Sequence, residues 1–375
     1  MLKSLLLRLK KPYKPLNRIE ISKQNFIHNY HYLSSINKNN QIAPVFKSNA
    51  YGHGLKQIAQ FIDELKAPFI CVDSIHEGYE LLKEKVITPI LIMGYIDPEN
   101  LKIKKLPFMY AIYDKNILIA INKYQPHAQI HLFIDTGMHR EGILLNNLPG
   151  FLTFVKNKTN LKIDGLMSHF AMADKPNNTM TNNQITNFKK SIDICNTKNI
   201  YPKWIHINAS NGILHIEGVG NIARAGIAIY GIDPSAKNKN ILPVLKLKSK
   251  IVQIKQLNKN EYIGYDFTFK TDKNMTIAIL PIGYNDGVDR RLSNKGIVTI
   301  DNIPCPIVGK VSMNMTTVDI SKVNNPFVGQ EIIIYDNNPQ AKNSIFNTAA
   351  TCETIPYEIL IHLNKEIKRV LYTNR

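Results

Sequence analysis

The chain has 375 residues, a formal net charge of +18 and 44% hydrophobic side chains, enough to fill two domains or one barrel with an appendage. Its four cysteines (Cys71, Cys195, Cys305, Cys352) are scattered, with no CxxC or Cys/His cluster, which excludes a zinc motif or disulfide framework and suits a reducing cytoplasm. No apolar run is long enough to span a bilayer, and the lysines are spread without an arginine-rich or aromatic-interleaved tract, so the charge reads as general surface rather than a nucleic-acid site.

Residues 1–15, "MLKSLLLRLKKPYKP", form a basic N-terminal arm. Arg8 interrupts its apolar run and no cleavage site follows, which argues against a signal peptide and leaves a frayed arm or a weak membrane-surface helix. Short β-branched runs then recur: "RIEIS" (18–22), "IAPVF" (42–46), "FICVD" (69–73), "ILIMGY" (90–95), "MYAIYD" (109–114), "IHLFID" (130–135), "IDGLMSH" (163–169), "WIHINAS" (204–210) and "IARAGIAIYG" (222–231). Between most of them lie helical patterns, such as "LKQIAQFIDELK" and "SIHEGYELLKE", the second opening on a serine suited to an N-cap. One leading strand followed by repeated βα units predicts a closed (β/α)8 barrel over residues 16–240, with an open doubly wound sheet as the alternative. No GxGxxG follows an early strand to favour a dinucleotide fold.

After about residue 240 the pattern changes to short strands separated by turns: "LKLKSKIVQIKQL", "TIAILPIG", "GIVTI", "PCPIVGK", "TTVDIS" and "EIIIYD". Residues 241–375 therefore read as a mainly β domain with a helical tail, joined through the linker-like "PSAKNKNILP" (234–243).

A barrel carries its active site at the C-terminal ends of its strands. The polar residues there are Lys47, Asp135 and Arg140, Ser168 and His169, His206 and Ser210, then Arg224 and Gly226. A lysine at the rim can hold an aldehyde, and Tyr51, Ser210 and the backbone at Gly226 can donate to a phosphate. Two arginines and a histidine remain for a planar, anionic cofactor, a combination that describes a pyridoxal 5'-phosphate (PLP) site. Taken singly, each residue is more simply a surface lysine or a core histidine; their placement at successive strand ends is what counts.

"VFKSNAYGHG" (45–54) resembles the PLP-lysine signature of alanine racemases, and "DTGMHREG", "GLMSHFAMAD", "ARAGIAIYG", "IGYDFTF", "LPIGYNDGVDRRL", "VGKVSMNMTTVD" and "TIPYEIL" follow in the family's order across nearly the whole chain. The resemblance implies an isomerase that interconverts L- and D-alanine by two-base PLP chemistry, providing D-alanine for the cell-wall precursor peptidoglycan in the cytoplasm. It makes Lys47 the cofactor lysine and one base, and Tyr265 the second base, reaching the site from the partner of a homodimer. Tyr51, Ser210, Gly226 and Ile227 match the phosphate cradle, His169 packs on the ring, Arg224 meets the pyridine nitrogen and His206 stands behind it. Arg140 and the backbone N–H of Met313 match the contacts to the substrate carboxylate, and Asp174, Tyr284 and Arg290 line the substrate's way in. No metal, nucleic acid or membrane span is implied.

The chain departs from the pattern in three places. The tyrosine that some members place near the C-terminus to touch the phosphate has no clear match here, its position falling near Lys365. The family often has a lysine two residues before the "DTGM" aspartate, whose carbamate holds the following arginine; here it is Phe133, so Arg140 needs a chloride, another side chain or the cofactor itself. Lys310 stands where an arginine is common, keeping the charge and losing the planar fork. Rival readings are a broader-specificity racemase acting on serine, lysine or arginine, a related barrel PLP decarboxylase or aldolase, and a basic binding protein.

Overall fold

The computed structural model describes residues 14–36, 41–175, 177–216, 219–233 and 238–372. The basic arm at 1–15 therefore lies almost wholly outside the described residues, as does part of the 234–243 linker. The chain divides into two compact domains, one spanning Ser22–Val244 and one combining residues up to Ile21 with Leu245–Val370.

Strand β1 (Arg18–Ser22) belongs to the second of these. The first is built on β2 (Gln41–Pro44), β3 (Ile70–Val72), β4 (Ile90–Ile92), β5 (Phe108–Ile112), β6 (Gln129–Asp135), the two-residue β7 (Ile143–Leu144), β8 (Lys162–Met167), β9 (Trp204–His206) and β10 (Ile222–Ala225). The strands from β3 through β4, β5, β6 and β8 to β9 pair in parallel, and β10 pairs in parallel with β2. Two sets of bonds close the ring. Phe46 N–H donates to Cys71 O at 2.8 Å, joining β2 to β3, and Arg224 N–H donates to Asn208 O at 2.9 Å, joining β10 to β9. Every residue of β3, β4 and β5 is buried, which is why these strands read as unbroken apolar runs.

Helices fill the crossovers. The helix Ile75–Lys83 starts at Ser74 in a full capping box with Glu77, as its sequence predicts. The pattern "LKQIAQFIDELK" does not give one continuous helix: Leu55–Ala59 is helical, Phe61 takes φ −135°, and a single 3-10 turn, Ile62–Leu65, follows. The break turns Phe61 inward, where it is 2% exposed and meets Phe26 edge-on, ring centroids 5.3 Å apart. Phe26, on the helix Lys23–Ile36, also packs on Phe46 and Tyr230 at 6.2 and 5.5 Å. Phe46 of this cluster immediately precedes Lys47 in the chain.

The second domain comprises β1 with β11 (Leu245–Lys250), β12 (Gln253–Leu257), β13 (Tyr262–Ile263), β14 (Phe269–Lys270), β15 (Met275–Leu280), β16 (Ile297–Ile300), β17 (Ile303–Pro306), β18 (Thr316–Asp319), β19 (Glu331–Tyr335) and β20 (Lys368–Tyr372). Its main sheet has the order β17-β16-β19-β11-β1-β20. Strand β1, expected as the leading strand of the barrel, instead pairs antiparallel with β11. The reason lies in its alternation. Ile19 and Ile21 are fully buried, while Arg18 and Glu20 face Lys248 and Glu331 in a ring of four charges, with Lys248 Nζ 3.0 Å from Glu20 and 2.7 Å from Glu331. A strand polar on one face suits an antiparallel sheet and not a barrel wall buried on both sides.

Phe26→Ala removes the centre of the aromatic cluster and is expected to lower the unfolding free energy by about 3–5 kcal/mol. Urea unfolding of the purified variant checks this; an unchanged midpoint would mean that the cluster is not packed as described.

Candidate active site

At the end of β2 the backbone does something uncommon. Ser48, Asn49, Ala50 and Tyr51 all have φ between 51° and 55°, a left-handed turn of four non-glycine residues. Each such residue costs about 1–2 kcal/mol, asparagine somewhat less. The turn is held by its own bonds, Ala50 N–H to Phe46 O at 2.9 Å and Gly52 N–H to Ser48 O at 3.0 Å, and by Asn49 Oδ1, which accepts from Leu55 N–H at 2.8 Å. His53, 1% exposed, lies with Nδ1 2.9 Å from Tyr51 O and its ring 4.5 Å from that of Tyr230. The result puts Lys47 at one end of a single turn and Tyr51 at the other.

Tyr51 reaches across to the next functional segment. A Cβ added to Gly226 would meet the Tyr51 hydroxyl at 2.5 Å, so only glycine permits the approach. Ser210 Oγ is there too, accepting the N–H groups of Gly226 and Ala228 at 3.1 Å each. The hydroxyls of Tyr51 and Ser210 thus meet at Gly226, neutral groups that can donate to a phosphate.

Arg224 organises the adjacent floor. It is 3% exposed and has no carboxylate partner among the described residues. Its NH1 donates to His206 Nδ1 at 2.6 Å and its NH2 to Ser168 O at 2.5 Å, with His169 Nδ1 3.3 Å away. Burial lowers its pKa to about 10, which leaves it charged at neutral pH. A guanidinium can only donate, so His206 Nδ1 must accept and its proton sits on Nε2. That proton points at His131 Nδ1, 2.8 Å away, which must accept in turn. His131 therefore carries its own proton on Nε2, where no hydrogen-bond partner is found among the described residues. A donor chain of fixed direction runs Arg224 to His206 to His131, with both imidazoles neutral. Gly165 makes room for its far end, since a Cβ there would meet the His131 ring at 2.3 Å.

The pKa shifts agree with this assignment. Burial lowers His131 and His169 to about 3 and pushes His206 well below its ordinary value, also 6.5. At His169 the charges of Arg224, Arg140 and Lys47 add to the effect of burial. Three cations around one imidazole make a field that favours an anion.

Arg140 has an anionic partner despite Phe133, which is buried and apolar. Its NH2 donates to Glu141 Oε1 at 2.8 Å and its Nε to Glu141 Oε2, a two-pronged pair. Of the partners open to Arg140 in the sequence, the structure therefore supplies a side chain, the adjoining glutamate.

Residues 21–234 match the family model "Alanine racemase, N-terminal domain" and residues 244–371 the model "Alanine racemase, C-terminal domain". The chain belongs to the alanine racemase family. The alanine racemase of Clostridium tetani is 34% identical over 373 residues, covering 94% of each chain, and that of Clostridium novyi 32% over 368 residues, covering 95% of each. Among solved structures, alanine racemase from Clostridium difficile 630 superposes with a TM-score of 0.89 at 28% identity, covering 97% of each chain. The Bacillus anthracis alanine racemase with bound L-Ala-P does so with a TM-score of 0.88 at 26% identity, covering 97% of each. The chain is accordingly an amino-acid racemase, and its relatives give no support to a broader substrate range.

Other residues singled out by the alanine racemase motifs lie apart from the Lys47 cluster in sequence and, for several, in domain. Tyr265 follows Gly264, which has φ +74°, and is 68% exposed in the second domain. Asp266, itself at φ 57°, is tied by the Lys310 ammonium, so the lysine that replaces the usual arginine anchors the Tyr265 loop. Met313 is 56% and Tyr284 42% exposed, and Arg290 is exposed. Tyr284 N–H and Asn285 N–H hold the 312–313 segment through Ser312 O and Met313 O, both at 3.0 Å. Asp174 is exposed on a turn of the barrel domain. No group of three or more metal-ligating side chains occurs among the described residues, and no described helix is long and apolar enough to cross a membrane. Sequence reasoning missed His131, Tyr230, Glu77 and Glu141. Only His131 left a trace, a histidine inside the apolar run "IHLFID".

These imidazoles, desolvated in the folded chain, set a pH dependence. In the unfolded chain they protonate near 6.5, but in the folded chain His131 and His169 resist until about 3. Between these values the unfolded chain binds more protons, so stability is complete above about 6.5 and is lost as pH falls towards 3. Each imidazole contributes a slope of about 1.4 kcal/mol per pH unit in that window. Unfolding titrations at a series of pH values should show His131→Gln with a slope shallower than wild type by about that amount; equal slopes would contradict the neutral assignment.

Proposed function

We propose that the protein interconverts L-alanine and D-alanine with PLP as cofactor, using one base on each face of the substrate. The observation that carries this reading is the left-handed turn that holds Lys47 and Tyr51 at its two ends, with the Tyr51 hydroxyl against Gly226. Membership of the alanine racemase family supports the reaction, and the donor set with its surrounding cations supports the cofactor. When bound, PLP supplies an electron sink that weakens the bond between the substrate's Cα and its α-hydrogen.

Lys47 would hold the cofactor covalently and would serve as the base on the D face. Tyr51, Ser210 and the backbone of Gly226 and Ile227 would hold its phosphate, and His169 would pack on its ring. Arg224 would donate to the ring nitrogen of the bound cofactor, and because a guanidinium keeps its proton it would not protonate that nitrogen, which would favour return of the proton to the substrate's Cα. Arg140, held by Glu141, and the Met313 backbone take the substrate carboxylate. Tyr265 is the base on the L face, so one group removes the proton while another delivers its replacement. Asp174, Tyr284 and Arg290 line the route of entry.

Tyr265 projects from the second domain and is largely exposed, which supports its use in the site of a second copy. The active form is then a head-to-tail homodimer with composite sites. The four free, buried cysteines suit a cytoplasmic enzyme, and D-alanine serves as a precursor of peptidoglycan.

A coupled D-amino-acid assay over a panel of L-amino acids should give a PLP-dependent signal with alanine foremost. Lys47→Ala and Tyr265→Phe should each lose at least about 100-fold in kcat. Equimolar mixtures, dissociated and reassociated, should recover on the order of a quarter of wild-type activity, since half the dimers carry one intact site. No recovery in a mixture shown to exchange subunits would contradict the composite site.

A further inference from the structure

We propose that Glu77 is a positioning residue that holds the Lys47 turn from the neighbouring βα unit, an inference that rests on Lys47 being the cofactor lysine. The carboxylate of Glu77 divides its work between its two oxygens. Oε2 accepts the N–H groups of Asp73 at 2.9 Å and Ser74 at 3.2 Å, and Ser74 Oγ accepts the Glu77 N–H at 3.2 Å, which completes the capping box of the helix Ile75–Lys83. Capping needs only that one oxygen. Oε1 is directed elsewhere: it accepts the N–H of Ser48 at 2.6 Å, 29 residues earlier in the chain.

Ser48 is the first residue of the left-handed run. A helical turn of either hand leaves its first N–H groups without partners inside the turn, so an acceptor must come from outside. A carboxylate is the strongest such acceptor because the bond is charge-assisted. On the other side of the lysine, Phe46 N–H donates to Cys71 O at 2.8 Å. Both chain neighbours of Lys47 are therefore tied to one βα unit, Phe46 to its strand and Ser48 to the cap of its helix. Lys47 sits between two fixed points, so the direction in which its side chain leaves the backbone is set before any ligand arrives. Misplacing a reacting group by about 1 Å costs on the order of 100-fold in rate.

The test compares Glu77→Ala, Glu77→Gln and Ser74→Ala with wild type. Ser74→Ala weakens the capping box but leaves Oε1 on Ser48, so it separates a helix cap from a clamp. Two readouts are used: hydrogen exchange of the peptide containing residues 45–54 without cofactor, and kcat, KM and the fraction of PLP trapped on Lys47 by borohydride. Glu77→Ala should exchange at least about tenfold faster in that peptide and trap less PLP, with kcat down about 10- to 100-fold and KM within about threefold. Glu77→Gln should fall between it and wild type, and Ser74→Ala should stay near wild type. Wild-type exchange and kcat in a folded Glu77→Ala would overturn the proposal, and so would a Ser74→Ala variant as impaired as Glu77→Ala. Should Glu77→Ala not fold, Glu77→Gln carries the same comparison. A wild-type protein that traps no PLP would sink the cofactor reading alone, and the exchange comparison would still decide the clamp.

Discussion

The buried guanidinium of Arg224 is the constraint on which the rest of the site depends. A charge taken out of water without a counter-ion is costly unless every donor finds an acceptor. Here the acceptors are backbone carbonyls and imidazole nitrogens, and none is a carboxylate. This choice propagates. A carboxylate would cancel the charge; neutral acceptors leave it uncompensated. The same choice forces His206 and His131 to be neutral, with their protons pointing away from the arginine, and it requires Gly165 to be a glycine so that the last imidazole has room.

The second constraint is the left-handed turn. Backbone strain of this kind persists only where the surroundings over-determine it. Four elements do so: the strand end at Phe46, the Asn49 side chain, the packing of His53 against Tyr230, and the carboxylate of Glu77. The geometry gained is compact. The turn holds Lys47 at one end and brings Tyr51, at the other, against the glycine segment after β10. The aromatic cluster of Phe26, Phe46, Phe61 and Tyr230 backs the whole assembly.

Much of this was legible in the sequence, and what was not has physical causes. The repeated apolar runs announced the barrel because strands buried on both faces carry little else, and the polar residues at their ends stood out for the same reason. "RIEIS" alternates Ile19 and Ile21 with Arg18 and Glu20, the pattern of a one-sided sheet, and it lies in the second domain's sheet rather than in the barrel. The break at Gln60–Phe61 left no mark, since helical periodicity cannot distinguish a residue facing the core from one that ends the helix. The left-handed turn was hidden because Ser48, Asn49 and Ala50 have no obligatory preference for positive φ, and only Gly52 and Gly54 hinted at it. The partner of Arg140 was hidden in a different way. Phe133 flagged a missing anion, but nothing in "HRE" says that an adjacent glutamate folds back onto the arginine.

The protonation state of the arginine–histidine chain tests the account most directly. Nitrogen-15 chemical shifts of selectively labelled histidine, assigned with His131→Gln and His206→Asn variants, report which ring nitrogen carries the proton. His206 and His131 should both be neutral and protonated on Nε2 from about pH 8 down to about pH 5. An imidazolium at either position in that range, or a proton on His206 Nδ1, would contradict it.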